Sequence, residues 1–423
     1  MPGFEKFYEK TLQQRWETLQ QQGVLSEEQL CYLKNKIYAP DLGNSMIENY
    51  ITDYTLPEGI SFHYLIDGRN YLVPMVTEEP SVIAASSHGA RMVQKAGGFK
   101  TKVEQRLMIG QIVIEDFQDY ADLKRQIEKE QTAILKVANE AHYSLVTRGG
   151  GARWLRCRQL ADDLMSVDLA VDVQEAMGAN MLNTMLEATA DYIQTKLASK
   201  VLMSILSNFA TECLTTAECS LPLSALTKGN LSGKEIGQKI VQASRVAQLD
   251  PYRAATHNKG IMNGIDAVVL ATGNDWRAIE SGAHTFAVKN GQYRGLSQWE
   301  IDDHHLKGRI ELPLPVGRVG GSIGIVPLVK INQQIMNVRS ARELQSIIAS
   351  VGLSQNLAAL YTLTSEGIQR GHMRLQLKSL ALAAGAKTAE LKQVLDVMIK
   401  KNEHNLAAAK EVVAEIRRKD QNE

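Results

Sequence analysis

The chain has 423 residues, of which 44% are hydrophobic, so it is long enough to form two or more domains around a sizeable core. Lys and Arg together total 47, as do Asp and Glu, and this balance argues against nucleic acid or an anionic membrane as the main partner. The apolar runs fall short of the roughly 18 residues that span a bilayer, and the charged N-terminus is unlike a signal peptide. The four cysteines have no metal-ligand spacing, so we expect a reduced, cytoplasmic protein without a membrane anchor or a metal site.

The first hundred residues predict a helix, a strand and a second helix. Apolar side chains recur at helical spacing at Phe4, Tyr8, Leu12, Trp16 and Leu19. Residues 71–76 predict a strand, Pro80 suits the first position of a helix, and Gly97 and Gly98 end it. Glu79 then lies just before a helix N-terminus, where a carboxylate complements the helix dipole, and Glu78 competes for any special role.

The middle of the chain predicts a small domain with an antiparallel sheet. Strands are predicted over residues 107–114, 154–158 and 165–173, with Asp116 as the cap of an intervening helix. A long helix follows, with an apolar stripe at Met181, Met185, Ile193, Leu197, Val201 and Ile205. The order β-α-β-β-α favours an α+β domain over a doubly wound sheet, and no strand is followed by a Rossmann glycine motif.

Glycines next to predicted helices leave alternatives open. Gly178 and Asn180 open the long helix, and a glycine-permitted loop at a helix N-terminus can bind a pyrophosphate, although such an entry is usually structural. Residues 149–151 are three glycines that could be only a chain bend. Residues 317–324 are rich in glycine but lack the Walker lysine, so we interpret them as a tight turn.

The segment with the most polar residues is 251–278. Its residues 267–271 form a short apolar run next to glycine and predict a buried strand, with Lys259 in a turn before it. Asp275 stands at the start of a helix predicted from Trp276 onward. Residue type alone leaves Lys259 as a solvated lysine, Asp275 as a helix cap and Arg253 as a surface charge.

The last third of the chain is predicted to be largely helical. Ser232 and Glu235 form a capping box for a helix that leads into the segment 251–278. Gln355 is predicted at the head of a later helix. Gly371 before His372 suggests a hinge, and apolar stripes predict two short helices after Gly385.

Four motifs together identify a family resemblance. They are EEPS at 78–81, EAMGAN at 175–180, DPYRAATHNKGIMNGIDAV at 250–268 with ATGNDWRA at 271–278, and GHM at 371–373. The chain resembles 3-hydroxy-3-methylglutaryl-CoA (HMG-CoA) reductase in its soluble, class II form. The resemblance covers essentially the whole chain.

This resemblance implies an α+β fold with a large mixed α/β domain, an inserted small ferredoxin-like and non-Rossmann cofactor domain, and a C-terminal helical flap. The implied division is 1–107 for the first part of the large domain, with an N-terminal dimerisation helix, and 108–216 for the small NAD(P)-binding domain. Residues 217–370 would complete the large domain and carry the catalytic lysine, and residues 371–423 would form the mobile flap.

The resemblance also implies the site residues. Those with catalytic roles would be Glu79, Lys259, Asp275 and His372. Those that contact the substrate would be Ser81, Arg253, Asn263 and Gln355. Those at the dinucleotide would be Glu175, which replaces the family's aspartate, with Met177, Gly178, Asn180 and Asn183.

The cofactor implied by the family is a nicotinamide dinucleotide, and coenzyme A is part of the substrate. Tyr143, Arg148 and Arg153 offer donors for a 2′-phosphate, which favours NADPH over NADH, whereas Glu140 nearby argues against it.

The implied reaction is reduction of HMG-CoA to mevalonate, for isoprenoid biosynthesis, by a homodimer with its site at the subunit interface. The alternatives are the oxidative direction for mevalonate catabolism, a different acyl group, or a non-catalytic homologue. Lys259, Glu79 and Asp275 are expected to meet at one reacting oxygen.

Overall fold

The structure is a computed structural model that describes residues 6–35, 40–365, 377–378, 380–387, 389–401 and 405–420. The chain divides into two compact units, Met1–Pro57 and Glu58–Glu423. The first unit contains the helices α1 (Leu12–Gln21), α2 (Glu27–Lys34) and α3 (Pro40–Met46). The helix predicted from Phe4 onward is wrong in its first half, because Thr11 caps α1 at Leu12 and Tyr8 belongs to a separate 3-10 turn. Phe4 lies outside the described residues.

The second unit is a mixture of helices and short strands. Its strands are β1 (Glu58–Ile66), β2 (Arg69–Val76), β3 (Lys100–Val103), β4 (Leu107–Glu115), β5 (Gly151–Gln159), β6 (Leu164–Asp172), β7 (Lys200–Ser207), β8 (Leu214–Pro222), β9 (Val288–Lys289), β10 (Gln292–Tyr293), β11 (Ser297–Asp302) and β12 (His305–Pro313). Its helices are α4 (Val82–Lys95), α5 (Tyr120–Lys129), α6 (Gln131–Ala141), α7 (Tyr143–Val146), α8 (Ala179–Leu197), α9 (Gly233–Leu249), α10 (Pro251–Ala271), α11 (Trp276–Phe286), α12 (Pro327–Met336), α13 (Ala341–Ser365), α14 (Leu391–Lys401) and α15 (Leu406–Asp420).

The larger hydrophobic core surrounds α10 and α13. Strands β11, β12, β8 and β3 form an antiparallel sheet in that order, and β1 and β2 form a separate hairpin. The strand predicted over residues 71–76 is confirmed within β2. Helix α4 begins at Val82 rather than at the predicted Pro80, because Ser81 takes a left-handed conformation with φ 78° at the N-cap.

A second sheet, in the order β5-β6-β4-β7, is antiparallel throughout and has its own core. With their helices these strands read β-α-β-β-α-β, the ferredoxin-like arrangement, so the expected non-Rossmann fold is confirmed. The apolar stripe predicted for the long helix is wrong at its C-terminal end, because α8 stops at Leu197. Ala198 ends the helix in a left-handed conformation, and Val201 and Ile205 lie in β7. The predicted cap Asp116 is also wrong, because Asp119 accepts the bonds at the start of α5.

Helix α10 replaces the predicted strand over residues 267–271 and the predicted turn at Lys259. Asp250 accepts hydrogen bonds from the N–H groups of Tyr252 and Arg253, and Pro251 occupies the first turn. The buried positions recur with helical spacing from Ala254 to the C-terminal end of the helix. The short apolar run is therefore the last part of a capped helix, an ambiguity that periodicity alone does not resolve.

Helix α13 is long and apolar enough to cross a membrane, contrary to the expectation that no run was long enough. In its most apolar window 78% of the helix is buried inside the protein, so it is the central core helix of the larger domain. Gln355 lies in the middle of α13 rather than at its head.

The C-terminal helices α14 and α15 pack on each other through their own apolar cluster. The two predicted short helices are thus confirmed. Gly371 and His372 lie outside the described residues.

Candidate functional site

An ion pair joins α10 to the loop between β2 and α4. The Nζ of Lys259 donates to Oε2 of Glu79 at 2.7 Å, and Nδ2 of Asn263 donates to the same oxygen at 3.4 Å. The lysine and the glutamate are 180 residues apart in sequence. Their side chains are 60% and 40% exposed, so the pair is open to solvent on one side. A ligand oxygen can therefore approach the ammonium group while the carboxylate holds it in place.

The position of Glu79 follows from its loop. Its N–H donates to Oγ1 of Thr77 at 3.2 Å, and Ser81 then turns the chain into α4. Helix α10 packs against both β2 and α4, which brings the loop to the face of α10 that carries Lys259 and Asn263. Glu78, the alternative candidate, is exposed and lies outside this contact.

The opposite face of α10 is held by a buried polar network. The amide of Asn258 donates to the carbonyl of Arg294 and accepts from the N–H of Leu296, both at 2.8 Å. Nε2 of His257 lies 2.7 Å from Oγ of Ser297 and 3.2 Å from Nδ2 of Asn356. Burial, assisted by the nearby Arg253, lowers the pKa of His257 to about 4. The imidazole is therefore neutral at pH 7, and the network fixes the rotation of α10 that presents Lys259.

Arg253 lies near the N-terminal end of α10 and is partly buried, and this burial lowers the pKa of its guanidinium. In the described part of the chain it has no carboxylate partner. A partly desolvated and unpaired guanidinium suits a bidentate carboxylate ligand. Gln355 is 6% exposed, packs beside Gly264 of α10, and has an Oε1 without a hydrogen-bond partner.

A large cavity of about 940 Å³ lies where three loops meet. One loop, residues 173–178 between β6 and α8, is called the cofactor loop below, and Arg148 lies beside it. The other walls are the turn between α10 and α11 and the glycine-rich segment after β12. The residues that line the cavity include Arg148, Glu175, Met177, Gly178, Asn180, Asn274, Asp275, Val319, Gly320 and Gly321.

The walls of the cavity are joined by hydrogen bonds. Asn274 donates to the carbonyl of Gly317 at 3.0 Å and accepts from its N–H at 2.7 Å. Gly178 has φ 85°, and a Cβ there would lie 2.4 Å from Val173, so this position of the cofactor loop requires glycine. Helix α8 begins immediately after it, with its N-terminus at the cavity, a suitable place for a pyrophosphate.

The structure separates the predicted dinucleotide residues. Met177, Gly178, Asn180 and Arg148 line the cavity. Glu175 also lines the cavity, and its carboxylate accepts from the N–H of Ala341 at 2.7 Å, at the start of α13. That the Glu175 carboxylate takes the role of the family's aspartate at the cofactor stays a prediction.

Three further residues lie elsewhere than expected. Asn183 accepts from the N–H of Leu206 in β7. Arg153 is paired with Asp172 at 2.9 Å, which neutralises its charge. Tyr143 is 70% exposed and faces a separate groove. Arg148 is thus the predicted 2′-phosphate donor that reaches the cavity.

Asp275 lines the cavity and is not brought to Lys259 within one chain. It caps α11 by accepting from the N–H groups of Arg277 and Ala278, as predicted, and pairs with Arg277 at 3.4 Å. At about 1.5 Å per residue, Lys259 lies about 18 Å along α10 from the end of the helix at Ala271. The expected meeting of Asp275 with Lys259 and Glu79 is therefore absent from the described single chain.

Asp266 is a further candidate site residue, which the sequence motifs alone did not indicate. Burial, and then the neighbouring carboxyl group of Glu280, raises the pKa of Asp266 to about 9. It follows Asn263 by one turn on the same side of α10, and Glu280 in turn contacts His284. An aspartate directly before the apolar run 267–271 was the available signal, but it is visible only once the segment is recognised as a helix.

The fold and the two sites define an oxidoreductase class: a dinucleotide-sized cavity at a helix N-terminus, and a lysine paired with a glutamate. The family model for hydroxymethylglutaryl-coenzyme A reductase matches residues 11–377. A 3-hydroxy-3-methylglutaryl-coenzyme A reductase from Archaeoglobus fulgidus is 41% identical over 99% of this chain and 94% of its own. The chain belongs to the hydroxymethylglutaryl-CoA reductase family.

Solved structures agree with this assignment. A reductase from Streptococcus pneumoniae is 45% identical, with a TM-score of 0.77 over 98% of this chain and 99% of that chain. A second structure, of the class II reductase from the same organism bound to NADPH in open conformations, is 46% identical. Its TM-score is also 0.77, and the match covers 96% of this chain and 100% of that chain.

Proposed function

We propose that the protein reduces (S)-3-hydroxy-3-methylglutaryl-CoA to (R)-mevalonate and CoA, with two NADPH, in the mevalonate pathway of isoprenoid biosynthesis. The observation that carries the proposal is the 2.7 Å ion pair between Lys259 and Glu79. It places a fixed cation and a carboxyl group, the kind of side chain that transfers protons, at one point. Reduction of a carbonyl group needs both, because its oxygen first gains charge and then a proton.

Lys259 stabilises the charge that develops on the thioester oxygen. Glu79 supplies the proton to that oxygen, which gives the hemithioacetal mevaldyl-CoA. When the C–S bond breaks, the hydroxyl proton returns to Glu79 and mevaldehyde forms. A second hydride is then added to the aldehyde carbon at the same place, and protonation of its oxygen by Glu79 gives the primary alcohol of mevalonate. The departing thiolate takes a proton from His372 and leaves as CoA thiol, so two hydrides and two protons are consumed overall.

Arg253 and Asn263 orient the acyl group. The guanidinium of Arg253, which has no carboxylate partner among the described residues, binds the free carboxylate of the HMG group. Asn263 donates to a substrate oxygen beside Lys259, and Ser81 lies at the start of the adjacent α4. Gln355 offers its unpaired Oε1 from behind Gly264.

The large cavity suits the dinucleotide. Its volume of about 940 Å³, the left-handed Gly178 and the N-terminus of α8 fit an extended molecule with a pyrophosphate. NADPH supplies the hydride when it is bound. Arg148 binds the 2′-phosphate, because it lines the cavity and has no ion-pair partner in the described chain.

A homodimer completes the site. Lys259 and Glu79 are in contact within one chain, whereas Asp275 and the large cavity lie beyond the C-terminal end of α10. We propose that Lys259 and Glu79 of one subunit face the cavity and Asp275 of the other. The cofactor and the acyl group then meet across the interface.

The substitution Lys259→Ala tests the proposal. Turnover of HMG-CoA should fall by at least about a hundredfold, since a preorganised charge at the oxygen is lost. Circular dichroism and the melting temperature should stay near wild type, because Lys259 is exposed. Lys239→Ala, at an exposed position on α9, is the matched control and should keep full activity. Substantial HMG-CoA reduction by a folded Lys259→Ala protein would reject the assignment.

A further inference from the structure

Arg106 is a buried arginine at the point where the chain first passes from the β11-β12-β8-β3 sheet to the β5-β6-β4-β7 sheet. It lies between β3 and β4 and is 6% exposed. Burial lowers the pKa of its guanidinium, and within the described chain no carboxylate is hydrogen-bonded to it. A desolvated cation costs stability unless other groups compensate for the lost water. Its partners therefore indicate what it holds in place.

Those partners are oxygen acceptors from three separate segments. The guanidinium donates to the carbonyl of Gln174 at 3.0 and 3.2 Å and to that of Ala176 at 3.1 Å, both in the cofactor loop. It also donates to the carbonyl of Val316 at 2.9 Å and to Oε1 of Gln345 at 2.8 Å. Val316 lies just before the glycine-rich segment, and Gln345 lies on α13.

The carbonyl group of Glu175, which lies between those of Gln174 and Ala176, is also bound. The N–H groups of Arg318 and Val319 donate to the carbonyl of Glu175 at 2.7 and 3.3 Å. Three consecutive carbonyl groups of the cofactor loop are thus bound by groups outside the β5-β6-β4-β7 sheet. Gln174 is held at φ 56°, a conformation that a residue with a side chain rarely adopts without such constraints.

The cofactor loop leads directly to Gly178 and the N-terminus of α8, which form the anion-binding end of the cavity. The placement of that helix end relative to Asp275 and Gly320 therefore depends on where the loop is fixed. We infer that Arg106 is a positioning residue that holds the cofactor loop in the shape required to bind the dinucleotide, without touching it. This inference rests on the proposed function, which places NADPH in the cavity.

The test compares Arg106→Lys with Arg342→Lys in the full-length protein. Lysine keeps the charge but loses the fork that reaches several carbonyls at once. Arg342 is the matched control, because it donates to two backbone carbonyls just before Arg106, those of Val103 and Glu104, at 3.1 and 3.0 Å. Neither carbonyl belongs to the cofactor loop.

In Arg106→Lys, the NADPH dissociation constant, measured by fluorescence titration, should rise on the order of tenfold or more, since small displacements of a binding loop have large effects. KM for NADPH should rise in parallel. The dissociation constant of HMG-CoA and kcat at saturating NADPH should stay within about twofold to threefold. Amide hydrogen exchange in residues 173–179 of the NADPH-free protein should be faster. Arg342→Lys should show none of these changes.

Gly317→Ala is a second, independent variant that displaces the same loop. A Cβ at Gly317 would lie 2.6 Å from the backbone nitrogen of Met177, so the loop must move away from it. It should reproduce the selective loss of NADPH affinity even if Arg106→Lys does not fold.

Two results would overturn the inference. One is unchanged NADPH affinity and loop exchange in the folded variants. The other is an equal loss of affinity for NADPH and HMG-CoA together with a lower melting temperature, which indicates a purely structural role. If the wild-type protein itself does not bind NADPH, the proposed function fails, and the exchange comparison still reports whether Arg106 holds the loop.

Discussion

Lys259 and Glu79 share one hydrogen bond, and each leaves an open side toward solvent. An exposed ion pair contributes little to stability, typically below about 1 kcal/mol. Its fixed geometry is better explained by chemistry than by folding. The neighbouring Asn263 donates to the same carboxylate oxygen and extends this surface with a group that binds oxygen atoms.

Arg148 is predicted to determine the choice of cofactor. Arg148→Ala should lower kcat/KM with NADPH on the order of tenfold or more while leaving kcat/KM with NADH nearly unchanged, because only NADPH carries the 2′-phosphate. Arg153→Ala is the matched control, since that guanidinium is already paired with Asp172. Steady-state kinetics with both cofactors measure the effect. Equal changes in kcat/KM with NADPH and with NADH would contradict the assignment.

His372, outside the described residues, is predicted to protonate the departing thiolate. His372→Ala should therefore lose more activity toward HMG-CoA than toward mevaldehyde, whose reduction releases no thiolate. The difference should be on the order of tenfold or more, as expected for loss of a general acid. Parallel assays with the two substrates provide the measurement, and equal losses in both would count against this role.

At the scale of elements, α10 organises the catalytic surface because each of its faces has a different task. His257 and Asn258 fix it to the loop before β11, Gly264 allows close packing on α13, and the remaining face carries Lys259 and Asn263. A neutral buried imidazole is part of that arrangement, so protonation should weaken it.

Stability should consequently depend on pH through His257. Its pKa is about 4 in the folded state and about 6.5 when unfolded, so the unfolded chain binds more protons between these values and stability falls as pH falls. Between pH 7 and pH 5 the wild type should lose on the order of 2 kcal/mol more than His257→Gln. Denaturant unfolding at both pH values measures this. Identical losses would show that His257 is not responsible.

At the scale of the whole molecule, the separation of Asp275 from Lys259 predicts complementation between subunits. Lys259→Ala and Asp275→Ala proteins should each be nearly inactive. When they are co-expressed, half of the dimers should be mixed, and each mixed dimer should contain one intact site, so about a quarter of wild-type activity should return.

The control for this experiment uses two residues, Lys259 and Glu79, that contact each other within the same chain. Co-expression of Lys259→Ala with Glu79→Ala should restore no activity, because every site then lacks one member of the ion pair. Recovery in that control, or none with Asp275→Ala, would rule out the shared arrangement.

The local parts of the fold were predictable from the sequence. Strand β2, the capping box at Ser232 and the cap at Asp275 depend on neighbouring residues, and the structure contains all three. The family motifs likewise identified the candidates Lys259 and Glu79, because the strings that carry them are contiguous.

Tertiary structure decided what depends on distant partners. The run at 267–271 is short enough to suit a strand or a helix, and packing on α13 and β2 made it the end of α10. That outcome also set the distance between Lys259 and Asp275. The role of Arg106 was equally hidden, because its acceptors are backbone carbonyls that carry no side-chain signature in the sequence. Local chemistry fixes caps and motifs, whereas the meeting of groups from different segments is set only when the chain packs.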